Sequence, residues 1–400
     1  MFALWQNGFS VQATGSHRRL TPTTVREVEQ HVRAWASAVG HDTGHDTGRA
    51  SGQCRCGAPG LVVGALPFAP DAAPLLYQPS QVEWGEGSVM PPGMAARLRP
   101  VHAGWQVLAM APRPTEEGYA ATVRAALSRM ADTRLPALHK VVLARTLELE
   151  LSQAIDPLAL TRRLAADPAV ATFLIDLSAW SGVADHSFLG ATPELLVSRR
   201  GRRVVSHPLA GSAARLPDAA ADRAAGESLL GSDKDRREHR MVVEDILDRL
   251  APYCSQLSTP EGTALRSTRT MWHLGTRIEG QLKSADMPSA AGLAALLHPT
   301  PAVGGYPREA ALEAIRELEG QDRGFYAGAI GWAEGSGDGD WYVALRCAEI
   351  RSRRVLLHAG AGIVAGSDAE AEVEETSAKF RAMLVALGVG EEEELKELAS

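Results

Sequence analysis

The sequence predicts an α+β protein, and three observations carry that reading. Residues 139–151, HKVVLARTLELEL, set Leu147, Leu149 and Leu151 in alternation with Glu148 and Glu150. That is the period of a half-buried strand, with Lys140 near its start. Between 236 and 250 the apolar Val242, Val243, Ile246, Leu247 and Leu250 recur at helical spacing behind a charged first turn containing Asp233, Asp235 and Glu238, which predicts an amphipathic helix. Segments 325–333 and 341–350 read as strands around the turn-forming GSGDGD run, a hairpin. Strands that pair with sequence neighbours, and helices that come in long separate pieces, fit α+β better than βαβ repetition.

The 400 residues allow two or three ordinary domains or one large one. We expect a single domain over 1–400, because elements come densely from about 115 to 388 without a break of linker length. At 45% hydrophobic and 22% charged residues the chain reads as globular and soluble. Its formal charge of −7, partly from the acidic tail at 391–400, leaves no basic surplus for nucleic acid. Four cysteines cannot build a disulfide framework, and Cys54-x-Cys56 without a second pair is too thin for zinc. The tandem HDTGHDTG within residues 41–60 opens a low-complexity stretch, read as a loop whose His41 and His45 are incidental. The N-terminus lacks the basic flank and apolar run of a signal peptide, and prolines interrupt the apolar stretches 60–77 and 290–303. No membrane partner is therefore expected, and a cytoplasmic location is.

A further strand, RRVLLHAG, leads through Gly360, Gly362 and Gly366 into a helix from Ser367 or Asp368 to about Leu387. The run Gly360-Ala-Gly362-Ile-Val-Ala365 matches the loose dinucleotide fingerprint, but no second parallel strand follows the helix. Its glycines read instead as a close backbone approach or a tight turn. No P-loop, HExxH or GxSxG motif is present. Glu372, Glu375 and Lys379, three and four residues apart, share one helical face. They are either a solvated face with a Glu375–Lys379 ion pair or, if Glu238 is brought opposite them, a hard oxygen site suited to Mg²⁺.

The segments FLGATPELL (188–196), HPLAGSAAR (207–215), SDKDRREH (232–239), MWHLGT (271–276), LHPTPAVGGYPR (297–308), RGFYAGAIGW (323–332), LRCAEI (345–350), HAGAGIV (358–364) and EVEETSAKF (372–380) occur in the order found in chorismate-utilising enzymes. Over about residues 115–390 the chain resembles the isochorismate synthases of that family, which share the fold of anthranilate synthase component I. Upstream only GALPF (64–68) contributes, and residues 1–60 stay unassigned.

The resemblance implies a single large α+β domain built on antiparallel sheets with helices outside. It implies Mg²⁺-assisted addition of water at C2 of chorismate with loss of the C4 hydroxyl. Such chemistry needs a base for the water and an acid for the departing hydroxyl. Lys140 matches the family base and Glu194 the acid; the lysine acts only once it has shed its proton, and the glutamate only while it keeps one. Glu238, Glu372 and Glu375 match the Mg²⁺ carboxylates, the metal in turn holding the substrate's C1 carboxylate. Arg346 matches the arginine that grips the enolpyruvyl carboxylate, where a fixed fork of donors suits a planar anion. Gly211, Ser212, His273, Tyr326, Gly360 and Lys379 match positions lining the pocket. Read without the resemblance, Lys140 is a strand-end charge, Glu194 a cap after Pro193, and His273 a core histidine.

Ala302 stands where isochorismate synthases tend to carry alanine, and where the anthranilate, aminodeoxychorismate and salicylate synthases tend to carry threonine. Gly304 departs from the serine, cysteine or alanine common at its position. The expected partner is thus chorismate alone, with no glutamine amidotransferase subunit and with the chain acting as a monomer. The alternatives are a salicylate synthase that goes on to eliminate pyruvate, a non-catalytic chorismate-binding protein, and the amino-transferring relatives. The product's use in siderophore, salicylate or menaquinone formation is not written in these motifs.

Overall fold

The computed structural model describes residues 1–6, 9–39, 60–86 and 104–389. The 41–60 loop, its cysteines and the 391–400 tail lie essentially outside this set. Among the described residues the chain forms two large antiparallel sheets and a small one.

The first sheet has the long strands Lys140–Leu151 and Arg354–Val364 towards one end, paired along eleven positions from Arg354–Glu150 to Val364–Lys140. Cys347–Arg351, His186–Thr192, Ala171–Asp176 and Phe2–Gln6 continue it. Both of its faces are buried, so the strands read with period two into two different cores. Phe2, Leu4, Phe173 and Ile175 enter the core shared with the second sheet, while Ala3, Trp5 and Leu174 enter one formed with helices Pro157–Leu164 and Ala369–Leu387. In Lys140–Leu151 the first four residues are buried throughout and the alternation read from the sequence begins only later, with Leu149 and Leu151 buried and Glu150 exposed.

The second sheet contains Leu61–Leu66, Ala329–Glu334, Gly339–Val343, Leu195–Arg200, Arg203–His207 and Ile278–Leu282 in that lateral order. The expected hairpin is only half right. Phe325–Gly328 is a turn, and the strand at 341–350 is two strands in two sheets: Gly339–Val343 pairs in the second sheet, Cys347–Arg351 in the first. The chain changes sheet at Arg346, whose φ of 45° breaks the extended run. Apolar patterning is continuous across this break, which is why periodicity alone does not reveal it.

The helix predicted at 236–250 runs Asp233–Leu250 and is capped by Ser232, whose side chain accepts from Asp235 N. The last helix, Ala369–Leu387, is capped by Asp368 and ends at left-handed Gly388. No helix among the described residues is long and apolar enough to cross a membrane.

Candidate active site

The site lies where the two large sheets exchange strands. His186–Thr192 of the first sheet passes through Pro193 and Glu194 into Leu195–Arg200 of the second. Gly339–Val343 of the second passes through Ala344, Leu345 and Arg346 into Cys347–Arg351 of the first. The strands before and after these crossings are paired with each other, so the crossings lie side by side. Glu194 and Arg346 consequently line one cavity. Backbone bonds hold them there: Val343 N donates to Glu194 O (3.1 Å), Glu194 N to Thr192 Oγ1 (3.2 Å), and Ala191 N to Arg346 O (3.1 Å).

The small third sheet closes another wall. Leu209–Ala214 pairs with Met271–Thr276 with Gly211 bulged out of register, at φ 74°. A bulge re-aims the neighbouring side chain. Ser212 then faces His273 across the ladder and its hydroxyl donates to Glu375 Oε1 at 2.8 Å. The remaining walls come from the turn with Ala302 and Val303, from Tyr326 and from Gly360.

Glu194 is 2% exposed. Burial pushes its carboxyl up to about 8, against the downward pull of Lys140, of a hydrogen bond with the Leu209 backbone, and of Arg346 and Lys379. It holds a proton at neutral pH. Lys140 is fully buried, 2.9 Å from Glu238 Oε1, yet the approach lies outside hydrogen-bonding directions and Nζ has no hydrogen-bond partner. Burial, then Arg346 and Lys379, hold the His273 imidazole well below its ordinary value. The neutral ring stands 3.3 Å from the Arg346 guanidinium, placed to accept from it. Tyr326 stacks on His358 at 4.9 Å.

The three carboxylates expected to hold a metal each face a different lysine. Glu238 meets Lys140, Glu372 meets Lys234 Nζ at 2.8 Å, and Glu375 meets Lys379 Nζ at 2.5 Å. In this arrangement no group of three acidic, histidine or cysteine side chains among the described residues converges on one point. The donor chemistry nevertheless fits a hard cation. Glu372 is 1% exposed, and burial together with the charge of Glu375 raises its carboxyl. Burial also pushes Glu375 up, but Lys379 and Ser212 outweigh it and leave it lowered. A pair of crowded carboxylates, one of them disfavoured as an anion, is relieved by a divalent ion. The sequence left open whether the Glu372–Glu375–Lys379 face was solvated; the ion pair exists, but it faces the cavity.

The glycines of HAGAGIV lie inside the strand Arg354–Val364 and allow close approach. A Cβ at Gly362 would fall on Glu238 Oε1, and one at Gly360 would stand 2.9 Å from the Tyr326 hydroxyl. Gly304 is not of this kind, since the nearest atom to a Cβ there is 3.4 Å away. Lys234, His358 and Ala327 were not singled out from the sequence. All three lie in motifs already quoted, but only a folded chain shows Lys234 on Glu372, His358 against Tyr326, or Ala327 at φ 57° in the cavity wall.

A family profile described as "chorismate binding enzyme" matches residues 98–388. The chain belongs to the chorismate binding enzymes. Among its relatives in that family, isochorismate synthase DhbC of Bacillus subtilis is 43% identical over 348 residues, 85% of this chain and 82% of that protein. Isochorismate synthase EntC of Escherichia coli is 40% identical over 330 residues, 82% and 81% of the two chains. The solved structure of DhbC from Bacillus anthracis superposes with a TM-score of 0.84 at 36% identity, covering 97% of this chorismate binding enzyme and 96% of that chain. The α+β class and the antiparallel sheets expected from the motifs are those found.

Proposed function

We propose that the chain is an isochorismate synthase, an isomerase that adds water at C2 of chorismate and removes the C4 hydroxyl. The observation that carries this is a carboxyl in the cavity wall, Glu194, that keeps its proton to about pH 8, together with a fully buried lysine amine, Lys140, set 2.9 Å behind the cavity-lining Glu238. Proton donation to a leaving hydroxyl and proton removal from water require those two groups. The relatives named above support the same reading.

Glu194 is the acid. Its proton is retained because an isolated buried carboxylate is costly, and the surrounding cations limit that cost so that the proton can still leave. Lys140 is the base. Its amine stands 2.9 Å from Glu238 Oε1, so whatever engages the charge of Glu238 also acts on the base. Glu238, Glu372 and Glu375 are the residues that would hold Mg²⁺, and the ion would neutralise them and carry the ring carboxylate of the substrate. Arg346 is fixed at positive φ with neutral His273 behind it, presenting its guanidinium to the second, enolpyruvyl carboxylate. Non-glycine residues held in this region store on the order of 1–3 kcal/mol, and they persist where the surroundings over-determine them. Ala302 offers no hydroxyl with which to hold an amine, which supports water as the nucleophile and isochorismate as the end product. Among the described residues Cys254 and Cys347 are buried free thiols, in keeping with a reducing cytoplasm.

The test is incubation with chorismate and Mg²⁺, with and without ammonium, followed by separation of products. Isochorismate in balance with chorismate, loss of turnover with a chelator, and no aminated product are expected. Salicylate with pyruvate as the main product would move the chain to the eliminating branch, and no turnover would make it a binder.

A further inference from the structure

Of the three lysines that face the acidic residues of the cavity, two are locked. Lys140 is fully buried at the start of the long strand Lys140–Leu151. Lys379 is 16% exposed and also donates to Gly360 O at 2.9 Å. Lys234 differs. It sits in the first turn of Asp233–Leu250, four residues before Glu238 and so on the same face of that helix. From there its Nζ spans to Glu372 Oε1 on the last helix at 2.8 Å, while the side chain remains 31% exposed. Glu372, at 2% side-chain exposure, has no route to water of its own. A flexible lysine with a solvated flank leaves its partner by rotating outward, at little desolvation cost, whereas the other two would have to abandon buried positions.

We propose that Lys234 is a positioning residue that serves as an exchangeable counter-ion of the metal site: it neutralises Glu372 while the divalent cation is absent and swings to solvent when the cation binds. The inference rests on the metal reading given above and adds a competition to it. Without Lys234, Glu372 would be left beside the charge of Glu375 with no cation paired to it, the last helix would be held less firmly in the metal-free protein, and a cation entering the site would have no resident charge to displace. Lys234 therefore weakens metal binding in the free enzyme and keeps the site assembled until metal arrives.

Mn²⁺ binding to the full-length, substrate-free protein, followed by electron paramagnetic resonance and by calorimetry, tests this without reference to turnover. Lys234→Met is expected to bind Mn²⁺ roughly tenfold more tightly than wild type, the direction given by removing a unit charge a few ångströms from the ion. Lys234→Arg, which keeps a charge on Glu372, is expected to stay near wild type. In a chelator the Met variant should melt below wild type, and saturating Mn²⁺ should close that gap. If wild type binds Mn²⁺ and a folded Met variant binds with equal or weaker affinity, the exchange is overturned while the metal reading stands. If wild type binds none, both fall.

Discussion

At the scale of single residues, the acid's role proposed for Glu194 makes its protonation the expected control on both rate and stability. Its carboxyl sits near 8 in the folded protein against an ordinary value of 4.5. Raised carboxyls bind protons more tightly folded than unfolded. The stability this supplies is complete below about pH 4.5, declines as the unfolded chain loses its proton, and is gone once pH passes 8. The rate follows the same proton, so turnover should fall on the alkaline side with a midpoint near 8. Glu194→Gln should lower kcat by about two orders of magnitude or more, and it should remove the part of the stability loss between pH 5 and 8 that wild type shows in urea titrations. A variant with near-normal turnover would take Glu194 out of the acid's role. Lys140→Ala is the partner case: kcat should fall comparably, and because Glu238 is left buried without its cation, about 3–5 kcal/mol of stability should go with it. Mg²⁺ should restore part of the urea midpoint but none of the rate. Recovery of both would mean the lysine is only a counter-charge.

Secondary-structure elements explain what was legible in advance. Alternating leucines made Lys140–Leu151 visible, and apolar spacing behind a charged first turn made Asp233–Leu250 visible, because in both the pattern along the chain is itself the cause of the fold. The N-terminal strands Phe2–Gln6 and Phe9–Thr14 were not seen: the first is an apolar run without alternation, and the second alternates as FSVQAT but is only six residues long and carries none of the shared motifs. The break at Arg346 was missed for a related reason, since a change of sheet leaves hydrophobicity unaltered and is written only in φ. Nearly all the residues singled out line the cavity or contact a residue that does, yet spacing alone named little beyond the Glu372–Glu375–Lys379 face. Lys140, Glu194 and Arg346 are more than 50 residues apart from one another and were found through shared motifs. Gly362 shows how an element carries function without a side chain. Its strand runs close beneath Asp233–Leu250, and only hydrogen fits against the Glu238 carboxylate and the Lys140 chain. Gly362→Ala should therefore displace Glu238, reducing kcat/KM by about tenfold or more and weakening Mg²⁺ binding, while Gly304→Ala, with ordinary clearance, should alter neither. Equal effects of the two substitutions would show that close approach at Gly362 has no bearing on the site.

For the whole molecule, the cavity depends on sheets, turn and helix staying in register, and Arg323 ties them. Its guanidinium, 5% exposed, donates to Val303 O at 2.8 Å in the turn that carries Ala302 and to Val142 O at 2.7 Å in the first sheet. It pairs with Glu319 at the end of helix Arg308–Glu319, and Glu319 in turn accepts from Ala144 N at 2.7 Å. Its plane lies 4.1 Å over the ring of Phe68, just beyond the strand Leu61–Leu66 of the second sheet. One buried ion pair thus joins both sheets to the cavity floor. Its net worth against an apolar pair is small, but removing one partner strands the other's charge. Arg323→Met should lower stability by about 3–5 kcal/mol in urea titrations. Arg323→Lys keeps the charge but loses the planar fork, so it cannot reach both carbonyls and Glu319 at once. With the charge kept, the lysine variant should lose less stability than the methionine variant, and with the floor under Ala302 loosened, KM for chorismate should rise more than kcat falls. A lysine variant with wild-type KM and wild-type urea midpoint would show that charge alone suffices and that the fork does not set the shape of the cavity.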